Sequence, residues 1–307
     1  MKYLVTGGAG FIGTALTKKL VAGGHEVTVL DDFSRGTRKV LDAVRVVDGS
    51  VCDNLDRAFS GGIDAVIHLA YIQGTRNFYS KPRQVIDVAL HGMLNLLDAC
   101  ERHGVRDFFL ASSSEVYNNP PVVPTPETVP CMIPDTLNPR FSYGGGKLAC
   151  EILLSAHSDS FRRAVIFRPH NIYGPDMGND HVIPEFCLRM NKEHPDGVIP
   201  FPVQGTGEET RSFCYISDFT DQLTLLLDKA PEGTSVWHLG TMDERTVAEV
   251  AHQVAKCYGR EVKVVSGRLT VGSPVRRVPD TAKIQGLGYK PKVGFAEGVA
   301  ATAAWYR

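Results

Sequence analysis

A chain of 307 residues, 43% of them hydrophobic, can bury the core of one or two domains. Its formal net charge of -1 gives no support for a nucleic-acid or membrane-surface partner, and no apolar run is long enough to span a bilayer. Seven scattered cysteines without a C-x-x-C pair read as reduced thiols rather than a disulfide framework, and no histidine cluster has metal-ligand spacing, so no metal site is expected. Met1-Lys2-Tyr3-Leu4-Val5 reads directly into a strand, so no secretory signal and a cytoplasmic location are expected.

Tyr3 to Thr6 is a short apolar run that predicts a strand. A helical pattern follows from Phe11 to Val21, closed by Gly23-Gly24. Further strands are expected at Glu26 to Leu30, Val44 to Val47, Ala65 to Ala70 and Asp107 to Ala111. Between the last two lies a long helix, about Arg83 to Arg102, with apolar residues at helical spacing. Tyr71 to Pro82, before that helix, contains Gly74, Arg76 and three aromatics and reads equally as a lid or a surface loop. Asn118 to Pro139 is rich in proline and predicts turns. Helix 143–157 and strand 163–168 resume the alternation; later a strand at 235–239 and helices near 246–258 and 294–306 stand out.

Strands separated by helices predict an α/β fold, a Rossmann-like doubly wound parallel sheet covered on both faces. Ligands then bind at the carboxyl ends of the strands. Residues 1–174 are expected to form this main domain. Residues 175–307 are expected to form a smaller C-terminal substrate-binding lobe, interleaved with the first.

Gly7-Gly8-Ala9-Gly10-Phe11-Ile12-Gly13 follows the first strand and opens the first helix. Glycines at 7, 10 and 13 permit a tight turn, close approach of a pyrophosphate and close helix packing. The helix N-terminus adds N–H donors and partial positive charge. Asp31, 18 residues beyond Gly13, ends the second strand, where its carboxylate accepts from both ribose hydroxyls and repels a 2′-phosphate. NAD is therefore expected over NADP. Asp32 beside it is an exposed second candidate, and Arg35 and Arg38 read as solvated loop residues.

Tyr143 and Lys147, four apart on a helix, share one face. A nearby ammonium favours ionised tyrosine, which makes Tyr143 a candidate general base toward an alcohol. Gly144, Gly145 and Gly146 between them each cost a helix roughly 0.5–1 kcal/mol relative to alanine. Close approach of another backbone or a ligand, or an irregular first turn, would account for them. Ser112-Ser113-Ser114 lies upstream. Together these features suggest oxidation of sugar alcohols with a nicotinamide.

The ordered set Gly7 to Gly13, His68-Leu69-Ala70, Ala111 to Tyr117, Tyr143 with Lys147, Arg168 to Pro175, Thr210-Arg211-Ser212-Phe213 and Arg277-Val278-Pro279-Asp280 resembles the extended short-chain dehydrogenase/reductases. Within them it is similar to the nucleotide-sugar epimerases and dehydratases, nearly end to end. The resemblance implies that Tyr143 takes the C4 hydroxyl proton, Lys147 holds the nicotinamide ribose, and Ser113 hydrogen-bonds the same sugar oxygen. It places Phe11, Ile12, Ser50, Val51, Leu69 and Ala70 beside the cofactor. Asn171 is implied on the substrate side, with Arg211 and either Arg276 or Arg277 on a diphosphate; His170 is a candidate substrate contact that reads first as a packing residue. UDP is the default base, since no feature selects GDP or dTDP. Homodimers pairing through helices 83–102 and 143–157 are expected by the same analogy. Three positions depart from the pattern: Ser50 where an acid is often found, with Asp53 three residues on; Ala89 in place of an asparagine; and His170 in place of phenylalanine.

The run Ser113-Ser114-Glu115 resembles the Ser-Glu pair of some dehydratases and of the UDP-glucuronate decarboxylases. Oxidation at C4 acidifies the C5 proton, and Glu115 is then the candidate base, with Ser114 a weak donor beside it. Dehydration, of the 4,6 or 5,6 type, is the favoured outcome, with 4-epimerisation and decarboxylation as alternatives. A non-catalytic dinucleotide sensor is a remote one, because such relatives tend to lose the Tyr–Lys pair.

Overall fold

The structure is a computed structural model that describes residues 1–35, 44–192, 197–268 and 272–307. Arg38 lies outside the described residues. In chain order the first part runs β1 (Lys2–Thr6), α1 (Phe11–Ala22), β2 (Glu26–Asp31), β3 (Arg45–Asp48), α2 (Asp56–Phe59) and β4 (Ala65–His68). Then come α3 (Thr75–Ser80), α4 (Pro82–Arg102), β5 (Asp107–Ala111), α5 (Phe141–Ala156) and β6 (Arg163–Pro169). The remainder holds β7 (Ile172–Tyr173), α6 (Val182–Met190), β8 (Ile199–Val203), β9 (Thr210–Ser212), β10 (Cys214–Tyr215), α7 (Ile216–Lys229) and β11 (Gly233–Leu239). It ends with β12 (Glu244–Thr246), α8 (Val247–Cys257), β13 (Val262–Ser266), β14 (Arg276–Arg277), α9 (Ala282–Gly286) and α10 (Phe295–Tyr306).

The chain folds into two compact units. The first comprises Met1–Val116, Cys131–Pro169 and Thr220–Trp237. Its sheet has the order β11-β6-β5-β4-β1-β2-β3, and β1 to β6 pair in parallel. Strands such as Asp107–Ala111 are buried at every position, as a sheet covered on both faces requires. Leu4, Phe108, Leu110 and Ile166 from the sheet pack with Leu96, Leu97 and Leu154 from α4 and α5 in one core. The strand order reverses between β1 and β4, the switch point at which such sheets bind ligands.

The second unit comprises Tyr117–Pro130, His170–Phe219 and His238–Arg307. Helices α6, α8 and α10 pack on one another, and β9 lies between β12 and β14 in a three-stranded sheet. Three stretches cross a division drawn at 174/175: residues 117–130, 170–174 and 220–237. Residues 220–237 go with the first unit because β11 extends its sheet beside β6. Residues 117–130 go with the second because Thr125 exchanges backbone hydrogen bonds with Val278 and Asp280.

The expected elements of the first half are present with shifted ends. The strand expected to reach Ala70 stops at His68, because Leu69 and Ala70 turn in to pack against Gly7. The segment Tyr71 to Pro82 contains the short helix α3, which buries Phe78. Helices α6 and α7 and the short strands after β6 go beyond the elements that the sequence predicts. Strands of two to five residues are too short to show an alternating pattern. Among the described residues no helix is long and apolar enough to cross a membrane.

Candidate active site

The glycine motif forms a cradle at the end of β1. Gly7 has φ +68°, and a methyl there would stand 2.7 Å from the Ala70 nitrogen. At Gly13 one would stand 2.2 Å from the Gly7 carbonyl and 2.5 Å from the Gly8 Cα. Side chains are therefore excluded where the turn folds back on the helix. Helix α1 opens at Gly10 with no side-chain cap and no acid in its first turn, so its N–H donors are not claimed by either. This geometry fits the pyrophosphate of a dinucleotide.

Asp31 ties the motif to β2. Its Oδ2 accepts from the Ala9 N–H and its Oδ1 from the Phe33 N–H, both at 2.9 Å. Burial pushes its carboxyl above the ordinary value, with the two backbone donors acting the other way. Two bonds leave further acceptor sites on the carboxylate. Asp32 is exposed and accepts instead from Ser34. Ser50 accepts from the Cys52 N–H, while Asp53 accepts from the Ser50 N–H, so Asp53 closes this turn. Val51 is buried against Gly92, where a methyl would stand 2.5 Å from its Cγ2. The Ala70 N–H donates to Thr6 Oγ1, which shares a 2.7 Å hydrogen bond with His68.

Tyr143 and Lys147 lie on the buried side of α5, 4% and 2% exposed. The Tyr143 ring stacks on Phe78 at 4.6 Å and meets Tyr71 edge-on at 5.1 Å. Lys147 Nζ donates to the Ala111 carbonyl at 2.6 Å and sits 3.9 Å above the Tyr71 ring centre. Burial holds the ammonium down at about 8. His68 is held down at about 3, by burial first and then by Lys147, and so stays neutral. Two of the three glycines have a structural reason. A methyl at Gly144 would stand 3.1 Å from the Glu115 carbonyl, and one at Gly146 would stand 2.2 Å from the Tyr71 hydroxyl.

That contact brings the turn carrying Ser113 and Glu115 against α5. Ser113 is buried, and its hydroxyl accepts from the Glu115 N–H at 3.2 Å. Ser114 is buried at the start of the 3₁₀ turn Ser114–Tyr117. Glu115 Oε2 lies 3.5 Å from Nη2 of the nearly buried Arg140. Ser112 donates to Glu151, which also accepts from Arg168 Nε and Nη2 at 2.9 and 2.5 Å. This network braces α5 on the ends of β5 and β6.

The other candidates lie in the second unit. Asn171 Nδ2 donates to the Ser212 carbonyl at 2.9 Å, which places it beside β9. His170 is buried and meets the His238 ring edge-on at 4.7 Å. The Arg211 guanidinium donates to the carbonyls of Thr210, Pro274 and Val275 at 2.6, 2.7 and 3.2 Å. Arg211 pairs across the ladders with Arg245 and Arg277, and paired positions project to one face. Three guanidiniums thus share a face, with Asp243 2.7 Å from Arg245. Arg276 projects to the other face, where Glu244 accepts from its Nε and Nη2 at 2.7 and 2.8 Å.

The structure therefore gathers Tyr143, Lys147, Ser113 and Glu115 in one unit, and Asn171, Arg211 and Arg277 in the other. Sequence reasoning does not single out Gln73, Phe78, Arg140 or Arg245. The one legible signal is the aromatic content of Tyr71 to Pro82, which bears on Gln73 and Phe78 and leaves Arg140 and Arg245 without one.

The model of the NAD dependent epimerase/dehydratase family matches residues 3–240. The chain is 30% identical over 316 residues to UDP-glucuronic acid decarboxylase 1 of Xenopus tropicalis, covering 100% of this chain and 72% of that one. Its fold is similar to that of Thermus thermophilus UDP-glucose 4-epimerase in complex with NAD, with TM-score 0.87 and 29% identity over 100% and 99% of the two chains. It is also similar to an NAD-dependent NDP-hexosamine 5,6-dehydratase of tunicamycin biosynthesis, with TM-score 0.88 and 27% identity over 100% and 97%.

Burial of Lys147 has a measurable signature. The unfolded chain keeps this proton up to about pH 10, whereas the folded protein releases it near pH 8. The unfolded state therefore binds more protons in that window, and stability rises with pH through it. Relative to Lys147→Met, the wild type is expected to gain about 1–3 kcal/mol between pH 8 and pH 10 in urea unfolding. Parallel stability curves for the two proteins would contradict the burial of a charged lysine.

Proposed function

Since the chain belongs to the NAD dependent epimerase/dehydratase family, we propose that it oxidises the C4 hydroxyl of a nucleotide diphosphate-sugar transiently and then eliminates water. The observation that carries this reading is the buried Tyr143–Lys147 pair packed against the turn of Ser113 and Glu115. The cradle of Gly7, Gly10 and Gly13 with the start of α1 would hold the pyrophosphate of NAD, Asp31 its adenosine ribose and Lys147 its nicotinamide ribose. When bound, NAD supplies a hydride acceptor at C4 that is regenerated within the same turnover.

Tyr143 takes the C4 hydroxyl proton, supported by the positive charge of Lys147. Ser113 hydrogen-bonds the same oxygen and orients it. The C4 ketone acidifies the proton on C5. Glu115, paired with the Arg140 guanidinium, is an acceptor for that proton. The C6–O bond breaks as the C5–C6 double bond forms, and the C6 hydroxyl takes up a proton and leaves as water. The hydride taken from C4 returns to the sugar, at C6 in a 4,6-elimination or at C4 in a 5,6-elimination. Arg211 and Arg277 pair with the diphosphate, and Asn171 contacts the substrate beside them. Arg277 is preferred over Arg276 because it shares a face with Arg211, while Glu244 holds Arg276 on the other. UDP remains the default base.

Decarboxylation is a second reading, favoured by the similarity to a UDP-glucuronic acid decarboxylase along the whole chain. A C5 carboxyl beside a C4 ketone is lost as carbon dioxide without a base, so Glu115 would then bind or orient. Proton NMR in D2O with NAD and UDP-glucose, UDP-N-acetylglucosamine or UDP-glucuronate separates the outcomes. A product that has lost water is expected, with solvent deuterium at C5 if the hydride returns to C6, or with a 5,6-double bond if it returns to C4. Inversion at C4 without solvent deuterium, or loss of carbon dioxide with water retained, would overturn the elimination. Tyr143→Phe is expected to slow turnover by at least about 10²-fold.

The seven cysteines are present as thiols, in keeping with a cytoplasmic location. Leu94 on α4 is 40% exposed and Ile152 on α5 is 63% exposed, which supports a homodimer formed through these helices. A monomer mass by light scattering at micromolar concentration would contradict that assembly.

A further inference from the structure

The segment between β4 and α4 reaches the atom on which the proposed chemistry turns. Gln73 Nε2 donates a hydrogen bond to the Tyr143 hydroxyl at 2.9 Å. The backbone carbonyl of Gln73 is itself fixed, accepting from Asn77 Nδ2 at 2.6 Å and from Arg35 Nη1 at 3.2 Å. Five residues on, Phe78 stacks on the Tyr143 ring. The ring and its oxygen are thus both gripped by one short stretch of chain, from a part of the sequence distant from α5.

We propose that Gln73 is a positioning residue of the reactive centre, whose amide N–H holds the Tyr143 hydroxyl and stabilises its ionised form. This rests on Tyr143 being the base. A hydrogen bond to the charged form of a group favours that form, and such a bond is stronger to an anion than to a neutral oxygen. Lys147 contributes positive charge from below, with its ammonium donating to the Ala111 carbonyl. Gln73 contributes a bond made directly to the phenol oxygen. A phenolate oxygen accepts more than one hydrogen bond, so this contact leaves room for the proton of an alcohol.

Titratable neighbours do not mimic the effect. Lys147 and Tyr71 lie near the tyrosine, and Glu115 faces Arg140 at the start of the same helix. From α3 and α4 the side chains packed on the ring are Phe78 and Val85, which do not titrate. All of these stay the same when residue 73 is exchanged, so a difference between variants reports the amide.

The test is a spectrophotometric titration of tyrosinate in the full chain with NAD added, taken as the difference from Tyr143→Phe so that it reads Tyr143 alone. Gln73→Met keeps the length of the side chain and removes the donor. Gln73→Glu keeps its shape and replaces the donor with an anion. Both are expected to move the ionisation of Tyr143 upward by about one pH unit or more, and Gln73→Glu further than Gln73→Met. Curves that coincide with the wild type would overturn the proposal. So would a loss of turnover in Gln73→Met with an unmoved titration, the mark of a packing role alone. Failure of the underlying reading shows elsewhere: Tyr143→Phe would then retain turnover, whatever the residue 73 variants do.

Discussion

A single buried ammonium organises the candidate site. Lys147 carries a charge into the interior, and the surroundings must compensate for it. The Ala111 carbonyl and the face of the Tyr71 ring do so, and they come from the ends of neighbouring strands, β5 and the chain just past β4. The parallel sheet is what makes those ends adjacent. His68, in register with Leu110 on β5, remains neutral and adds no second positive charge. The ammonium is then the local cation that favours an ionised tyrosine one helical turn away.

The odd composition of α5 follows from the same constraint. Tyr71 can lie beneath Lys147 only if the helix offers it space. Gly146 provides it, with the Tyr71 hydroxyl where a side chain would begin, and Ala89 on α4 lies within 3.1 Å of the same point. An asparagine at 89 would crowd this place. Gly144 lets the Glu115 carbonyl approach, which sets the turn of Ser113 and Glu115 against the tyrosine's own turn of helix. The helix gives up propensity at these positions and gains the packing that assembles the site.

Much of this was legible in the sequence, for physical reasons that differ by element. Buried parallel strands and the amphipathic α4 have strong patterns, and the glycine motif announces a backbone that must come close to itself. The Tyr–Lys spacing is a property of one helix and needs no tertiary knowledge. Gln73 and Tyr143 are 70 residues apart and no local pattern links them. The choice between Arg276 and Arg277 depends on strand register, which a two-residue strand cannot reveal in advance. Residues 220–237 return to the first unit through long-range contacts, β11 at the free edge of β6 and α7 against Lys19 and Arg163.

Oxidation at C4, with Tyr143 as the base, is the step on which the proposed function stands. It is tested most directly by quenching a reaction of the NAD-loaded protein with UDP-sugars in mid-turnover with sodium borodeuteride, and by mapping deuterium in the recovered sugar. Deuterium is expected at C4 with the wild type and none with Tyr143→Phe. Product that accumulates with no deuterium at C4 would contradict it.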